Sequence, residues 1–187
     1  MNTFTEAFEG LVKDMYSAEK MVLKALPKVA KTAQNPELKQ GIELHMRQTE
    51  GQIKRIEEVA QKCGFKPGGK VCVAAQGLIE EMEEHLKEGE PGAVMDAVIV
   101  ALAQKFEHYE IASYGTIVEW GKVADIPSTC VSMMAESLHE EEETDQLLTQ
   151  LAEGHLNQSA LEATDEKSKE QSTKGTARYM ATKKKVA

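Results

Sequence analysis

The chain has 187 residues and a net charge of −9, a length that suits one domain with a substantial core, and its few aromatics beside abundant Ala, Leu, Glu, Lys, Gln and Met favour helix. Residues 1–156 carry 15 basic and 27 acidic side chains and residues 157–187 carry seven and four, so the acidic body is expected to draw cations and to have no nucleic-acid partner. Cys63, Cys72 and Cys130 form no CxxC pair, which speaks against a disulfide framework or zinc ribbon. The acidic start MNTFTEAFEG and the lack of an apolar run of roughly 20 residues predict a cytoplasmic protein without signal peptide or membrane partner.

Thr3 and Glu6 have capping-box spacing, and Phe4, Phe8, Leu11, Met15, Val22, Leu26 and Val29 recur every three or four residues, which predicts a first helix to about Ala33. Pro27 is expected to kink it or loosen one turn. Asn35-Pro36-Glu37 then supplies an N-cap, a proline at the first helical position and an acid in the first turn, opening a second helix that Gly64 closes. Its apolar stripe reads Leu38, Ile42, His45, Thr49, Ile53, Ile56 and Ala60. So short a connection makes the two helices an antiparallel hairpin.

Residues 65–91 hold a Gly/Pro-rich turn and a short amphipathic segment around Leu78, Ile79, Met82 and Leu86, long enough to cross the length of a bundle. A third long helix is predicted from about Gly92 to Val123 on Ala97, Val100, Ala103, Glu107, Glu110, Tyr114 and Ile117. Asp125-Ile126-Pro127 breaks it, and a fourth follows on Val131, Met134, Leu138, Glu141, Asp145, Leu148 and Ala152. Two hairpins joined by one long crossover give an all-α, ferritin-like antiparallel four-helix bundle whose crossover carries a short extra helix. The bundle is expected over residues 1–156. Residues 157–187, where the apolar period fades and Lys183-Lys184-Lys185 ends the pattern, are expected to be a flexible tail.

Each stripe is interrupted near its middle by a residue able to bind metal, and an uncompensated buried carboxylate is too costly to be casual. Glu19 lies about 40° from Met15 and 60° from Val22 around the first helix. His45 interrupts the second, with Gln48 and Gln52 bordering its face. Glu107 and Glu110 sit one turn apart on the third, where two like charges repel unless a cation or a proton separates them. On the fourth, the run HEEEETD puts an acid in every period, so Glu140 and Glu141 both remain candidates. Glu19, His45, Glu107, Glu110 and Glu141 fall at comparable depth, a donor set suited to iron or manganese and open to zinc. Carboxylate-bridged di-iron bundles carry Glu-x-x-His on two helices. Here Ile42 stands three residues before His45, and Glu136-x-x-His139 has the spacing but is expected to face away, leaving room for a weaker, single-metal or vestigial site.

The segments DMYSAEKMVLKALPKVA, LKQGIELHMRQTEGQIKRIEEV, DAVIVALAQKFEHYEIASYGTIVEWGK and LHEEEETDQLL together resemble the YciE/YciF family of bacterial ferritin-like proteins. The resemblance implies a cytoplasmic homodimer associated with stress responses and a di-iron site of the rubrerythrin type. It implies metal positions at Glu19 in YSAEK, His45, Glu107 and Glu110 in FEHYE, and Glu141 with Asp145 in EEEETD. The expected function is a metal-binding stress protein with two irons per chain that handles peroxide or oxygen, with Tyr109 and Tyr114 as candidate electron relays. The alternative is a non-enzymatic helical scaffold with a structural or vestigial metal.

Overall fold

The computed structural model describes residues 2–165, all of whose regular structure is helical. Five α-helices follow in order: α1 Phe4–Thr32, α2 Pro36–Cys63, α3 Val73–Glu88, α4 Ala93–Val123 and α5 Ser128–Leu151. The four long ones, 24 to 31 residues each, are about 35–45 Å long at about 1.5 Å per residue.

Local chemistry sets the ends. Thr3 accepts from the Glu6 N–H while the Glu6 carboxylate reaches back to the N-cap backbone, completing the capping box. Asn35 Oδ1 accepts from the N–H groups of Glu37 and Leu38, 2.9 Å each, and Pro36 takes the first helical position of α2. Gly64 ends α2 with φ 79°, a left-handed conformation that costs glycine little. Pro27 stands inside an unbroken α1, so the expected interruption is no more than the one hydrogen bond that its missing N–H removes.

The helices pack in the ring order α1, α2, α5, α4, each long helix against its hairpin partner and one helix of the other hairpin. Directions follow from particular contacts. Asp96, buried in the first turn of α4, accepts from the N–H groups of Gln34 and Asn35 in the α1–α2 turn at 2.8 Å each. Phe4 at the start of α1 stacks on Trp120 near the end of α4. α4 is therefore antiparallel to α1 and parallel to α2, so the crossover must travel the whole bundle. It does so along α1, with Lys70 paired to Asp14 and the Cys72 N–H donating to Ser17 Oγ, and α3 then packs on α1 and α4. This is the ferritin-like bundle with a helix-bearing crossover.

Three details correct the sequence reading. On α2 the fully buried position is Gln52 and Ile53 is half-buried, because the inward stripe steps from Thr49 by three residues and then by four to Ile56. On α5 Ser137 takes the inward place next to Leu138 for the same reason. The chain also stays helical past residue 156: a π-turn, Ala152–Leu156, leads into helix over 157–165. Good helix formers and one-turn pairs such as Gln158 to Glu162 at 2.9 Å hold that segment. The remainder of the expected tail lies outside the described residues. No helix among the described residues is long and apolar enough to cross a membrane.

Candidate metal centre

Halfway along the bundle the apolar core gives way to acids. Glu19 from α1, His45 from α2, Glu107 and Glu110 from α4 and Glu141 from α5 are all at most 3% exposed. His45, Glu107, Glu110 and Glu141 each offer a ligand atom, and these atoms lie within 4.8 Å of one another. His45 Nε2 stands 3.6 Å from Glu107 Oε1, and Nδ1 stands 3.8 Å from Glu141 Oε2. Those separations are long for hydrogen bonds, and a ring nitrogen and a carboxylate oxygen that each bound one metal at about 2 Å would sit roughly 3–4 Å apart, a spacing open to one of the two ring nitrogens at a time.

Polar bookkeeping points the same way. Both ring nitrogens of His45, both carboxylate oxygens of Glu110 and one oxygen each of Glu19, Glu107 and Glu141 are buried without a hydrogen-bond partner among the described residues. Buried polar atoms are nearly always satisfied, and these seven exceptions belong to the five acidic and imidazole side chains, the two others among the described residues being Gln48 Oε1 and Gln52 Oε1 on α2. Burial pushes the Glu19, Glu107 and Glu110 carboxyls well above their ordinary range. The charge of Glu141 adds to the push on each, and Glu19 and Glu107 or Glu110 repel one another. Among the described residues four carboxylates meet one imidazole and no buried lysine or arginine at the centre, Arg55 being part-buried and paired to Glu136 and Glu140. Either protons or cations must neutralise them.

A surrounding layer fixes the ligand atoms. Tyr114 OH donates to Glu19 Oε1, and burial with the neighbouring acids raises that phenol strongly, keeping it a donor. Gln52 Nε2 donates to Glu141 Oε1 and, at 3.0 Å, to Glu140 Oε2. Arg55 in turn holds Glu140, Glu136 and Ser137. The adjacent Glu140 and Glu141 are thereby divided: one faces the bundle axis, the other closes an ion pair at its rim.

Residues 3–161 match the family described as Domain of unknown function (DUF892). The chain belongs to the DUF892 family. Protein YciF of Escherichia coli K12 is 40% identical over 161 residues, 86% of this chain and 96% of its own. The crystal structure of that E. coli stress protein superposes with a TM-score of 0.80 over 84% of this chain and 99% of the other. YcfI of Rhodopseudomonas palustris, provisionally described as a structural protein, is 38% identical with a TM-score of 0.76, covering 79% and 94%. A Xanthomonas campestris protein at 20% identity and a TM-score of 0.71 shares the fold.

In this DUF892 chain four of the six expected metal positions, His45, Glu107, Glu110 and Glu141, come together; Glu19 is buried and bonded to Tyr114, and Asp145 stands apart. Its carboxylate is 20% exposed, accepts from Gln104 Nε2 at 3.3 Å and lies 3.5 Å from His108 Nε2. Four residues after Glu141 is about 40° further round the helix, enough to turn Asp145 from the axis toward α4. Glu136 and His139 face solvent, with side chains 63% and 70% exposed. Tyr109 is part-buried beside Glu110 and bonds Cys72 Sγ at 2.8 Å. The sequence reading missed Arg55 and the anchoring role of Gln52 and Tyr114, since an arginine bordering a stripe and a polar residue on one have many uses.

Proposed function

We propose that this DUF892 chain binds two first-row transition-metal ions in the buried cluster, iron foremost with manganese or zinc as substitutes, and handles oxygen or peroxide there in a bacterial stress response. The observation that carries the reading is the cluster of buried donor atoms from α2, α4 and α5 within 4.8 Å of one another, with the orphaned, buried Glu19 Oε2 contributed by α1. Four carboxylates call for four positive charges, which two divalent ions supply. His45, Glu107, Glu110 and Glu141 would hold one ion, and Glu19, buried with an unpartnered Oε2, would supply the further carboxylate that a second ion needs. Bound iron or manganese would supply Lewis-acid and one-electron chemistry toward an oxidant.

The chain's own part is to orient and to exclude water. Tyr114 and Gln52 each fix one carboxylate oxygen and leave the other free, and such outer partners typically govern metal affinity by 10- to 100-fold, about 1–3 kcal/mol. The stress role is supported by the description of YciF as a stress protein. A cytoplasmic homodimer belongs to the same proposal, by family resemblance.

A second reading has the cluster closed by protons or a single structural ion in a helical scaffold. It draws on the description of YcfI and on Ile42, which stands where a Glu-x-x-His pair would place its acid. Elemental analysis of protein loaded anaerobically with Fe(II) separates the two. The first predicts about two irons per chain, lost in His45→Ala and Glu110→Ala, and oxidation on mixing with oxygen or peroxide. Wild-type protein without iron above background would refute it, and one iron that resists oxidant would favour the second.

A further inference from the structure

Directly beside the acidic cluster, toward the α1–α2 turn, the bundle encloses a cavity of about 30 Å³. Its walls include Val22, Leu26, Phe106 and Leu148, and its polar edge is made by His45 and Glu107, the same two groups that stand 3.6 Å apart in the cluster. On the opposite side α3 closes it with Ile79 and Met82. A second concavity of about 280 Å³ lies outside, between α1 and α3, lined by Lys24, Gln76, Glu80 and Glu83 among others. Ala25 and Ile79 line both. The outer groove and the inner cavity are therefore separated by a thin partition to which one small side chain of the bundle and one aliphatic side chain of the crossover helix contribute.

Size and chemistry select what such a chamber takes. Roughly 10–15 Å³ on this measure accommodates one water-sized molecule, so the cavity holds a diatomic and excludes organic substrates. Apart from His45, Glu107 and Thr144 its lining side chains are apolar or glycine. Hydrogen peroxide would have to leave at least part of its hydrogen bonding behind in water, whereas dioxygen forfeits none.

We propose that this cavity is a dioxygen-binding chamber supplied from the α1/α3 groove across the Ala25–Ile79 partition, delivering O2 to the His45/Glu107 side of the centre. The proposal rests on the metal-binding reading above and narrows it from two oxidants to one. It also accounts for the position of α3, since the crossover helix forms the outer wall of the chamber.

Xenon is the probe, because it binds apolar cavities whether or not metal is present. In the metal-free full-length chain, xenon NMR is expected to show one saturable site in the wild type, weakened at least ten-fold by Ala25→Leu and retained in Ile79→Ala. In iron-loaded protein, Ala25→Leu is expected to slow O2-driven Fe(II) oxidation at least ten-fold without changing iron content, and Ile79→Ala to raise it about three-fold. The peroxide-driven rate should stay within two-fold in both. No saturable xenon site in the wild type would overturn the proposal, as would an O2-driven rate that neither variant changes. Ile79 lies outside the four-helix bundle, so its variant decides the matter even if Ala25→Leu fails to fold. Xenon uptake without iron uptake would refute the metal reading and O2 delivery together while leaving a gas-binding cavity. Iron uptake without xenon uptake would refute the chamber alone.

Discussion

Tyr114 and Glu19 are both fully buried, and the phenol donates to the carboxyl. Removing that hydroxyl leaves a carboxyl oxygen with neither water nor partner, so Tyr114→Phe is expected to cost the metal-free protein about 1–3 kcal/mol, read as a lower denaturant midpoint at unchanged slope. An unaltered midpoint would show that the bond contributes nothing. Arg55 acts one layer further out, through Glu140 and Gln52. Arg55→Met should lower metal affinity about ten-fold or more in a competition titration, whereas Glu136→Gln, whose side chain is 63% exposed, should leave it unchanged. At this scale the sequence was legible where a donor interrupted an apolar stripe cleanly, as Glu19 and His45 do. It was not legible in HEEEETD, where every helical period contains an acid, and the choice of Glu141 over Glu140 depends on Gln52 and Arg55 reaching across from α2.

Among elements, the turns carry information that periodicity does not. Asp96 accepts two backbone N–H groups of the α1–α2 turn and so ties the first hairpin to the start of α4. From sequence it is an ordinary first-turn acid, because its partners lie 61 and 62 residues away. Asp96→Ala should destabilise the fold by about 2–4 kcal/mol through two orphaned donors, measurable by thermal or denaturant unfolding; a loss below about 0.5 kcal/mol would mean that water replaces the carboxylate. Caps were readable in full at Thr3, Asn35 and Gly64, because each acts on its own next turn. The inward choice of Gln52 over Ile53 was not, because steps of three and four are both helical and the partner acid on α5 decides between them.

For the whole molecule the acidic centre couples folding, protons and metal. The carboxyls of Glu19, Glu107 and Glu110 are raised well above 4.5 in the folded state, chiefly by burial. A group raised on folding contributes stability that is complete below its unfolded pKa and lost as pH rises through the folded value. Metal-free protein is therefore expected to melt at lower temperature as pH goes from about 5 to about 8, contrary to acid denaturation of ordinary carboxylates. A divalent ion needs the same groups deprotonated, so metal should stabilise most at the upper end and release protons on binding. A melting temperature of the metal-free form that rises over this window would contradict the account.

The central claim is that both ions sit among the buried Glu19, His45, Glu107, Glu110 and Glu141 and not on the acidic surface. Anomalous diffraction from Mn(II)-loaded crystals, recorded on both sides of the manganese edge, tests it most directly. The account predicts two peaks inside the bundle within bonding distance of those five side chains. Peaks confined to the exposed acids of α5, or none above noise at full loading, would contradict it.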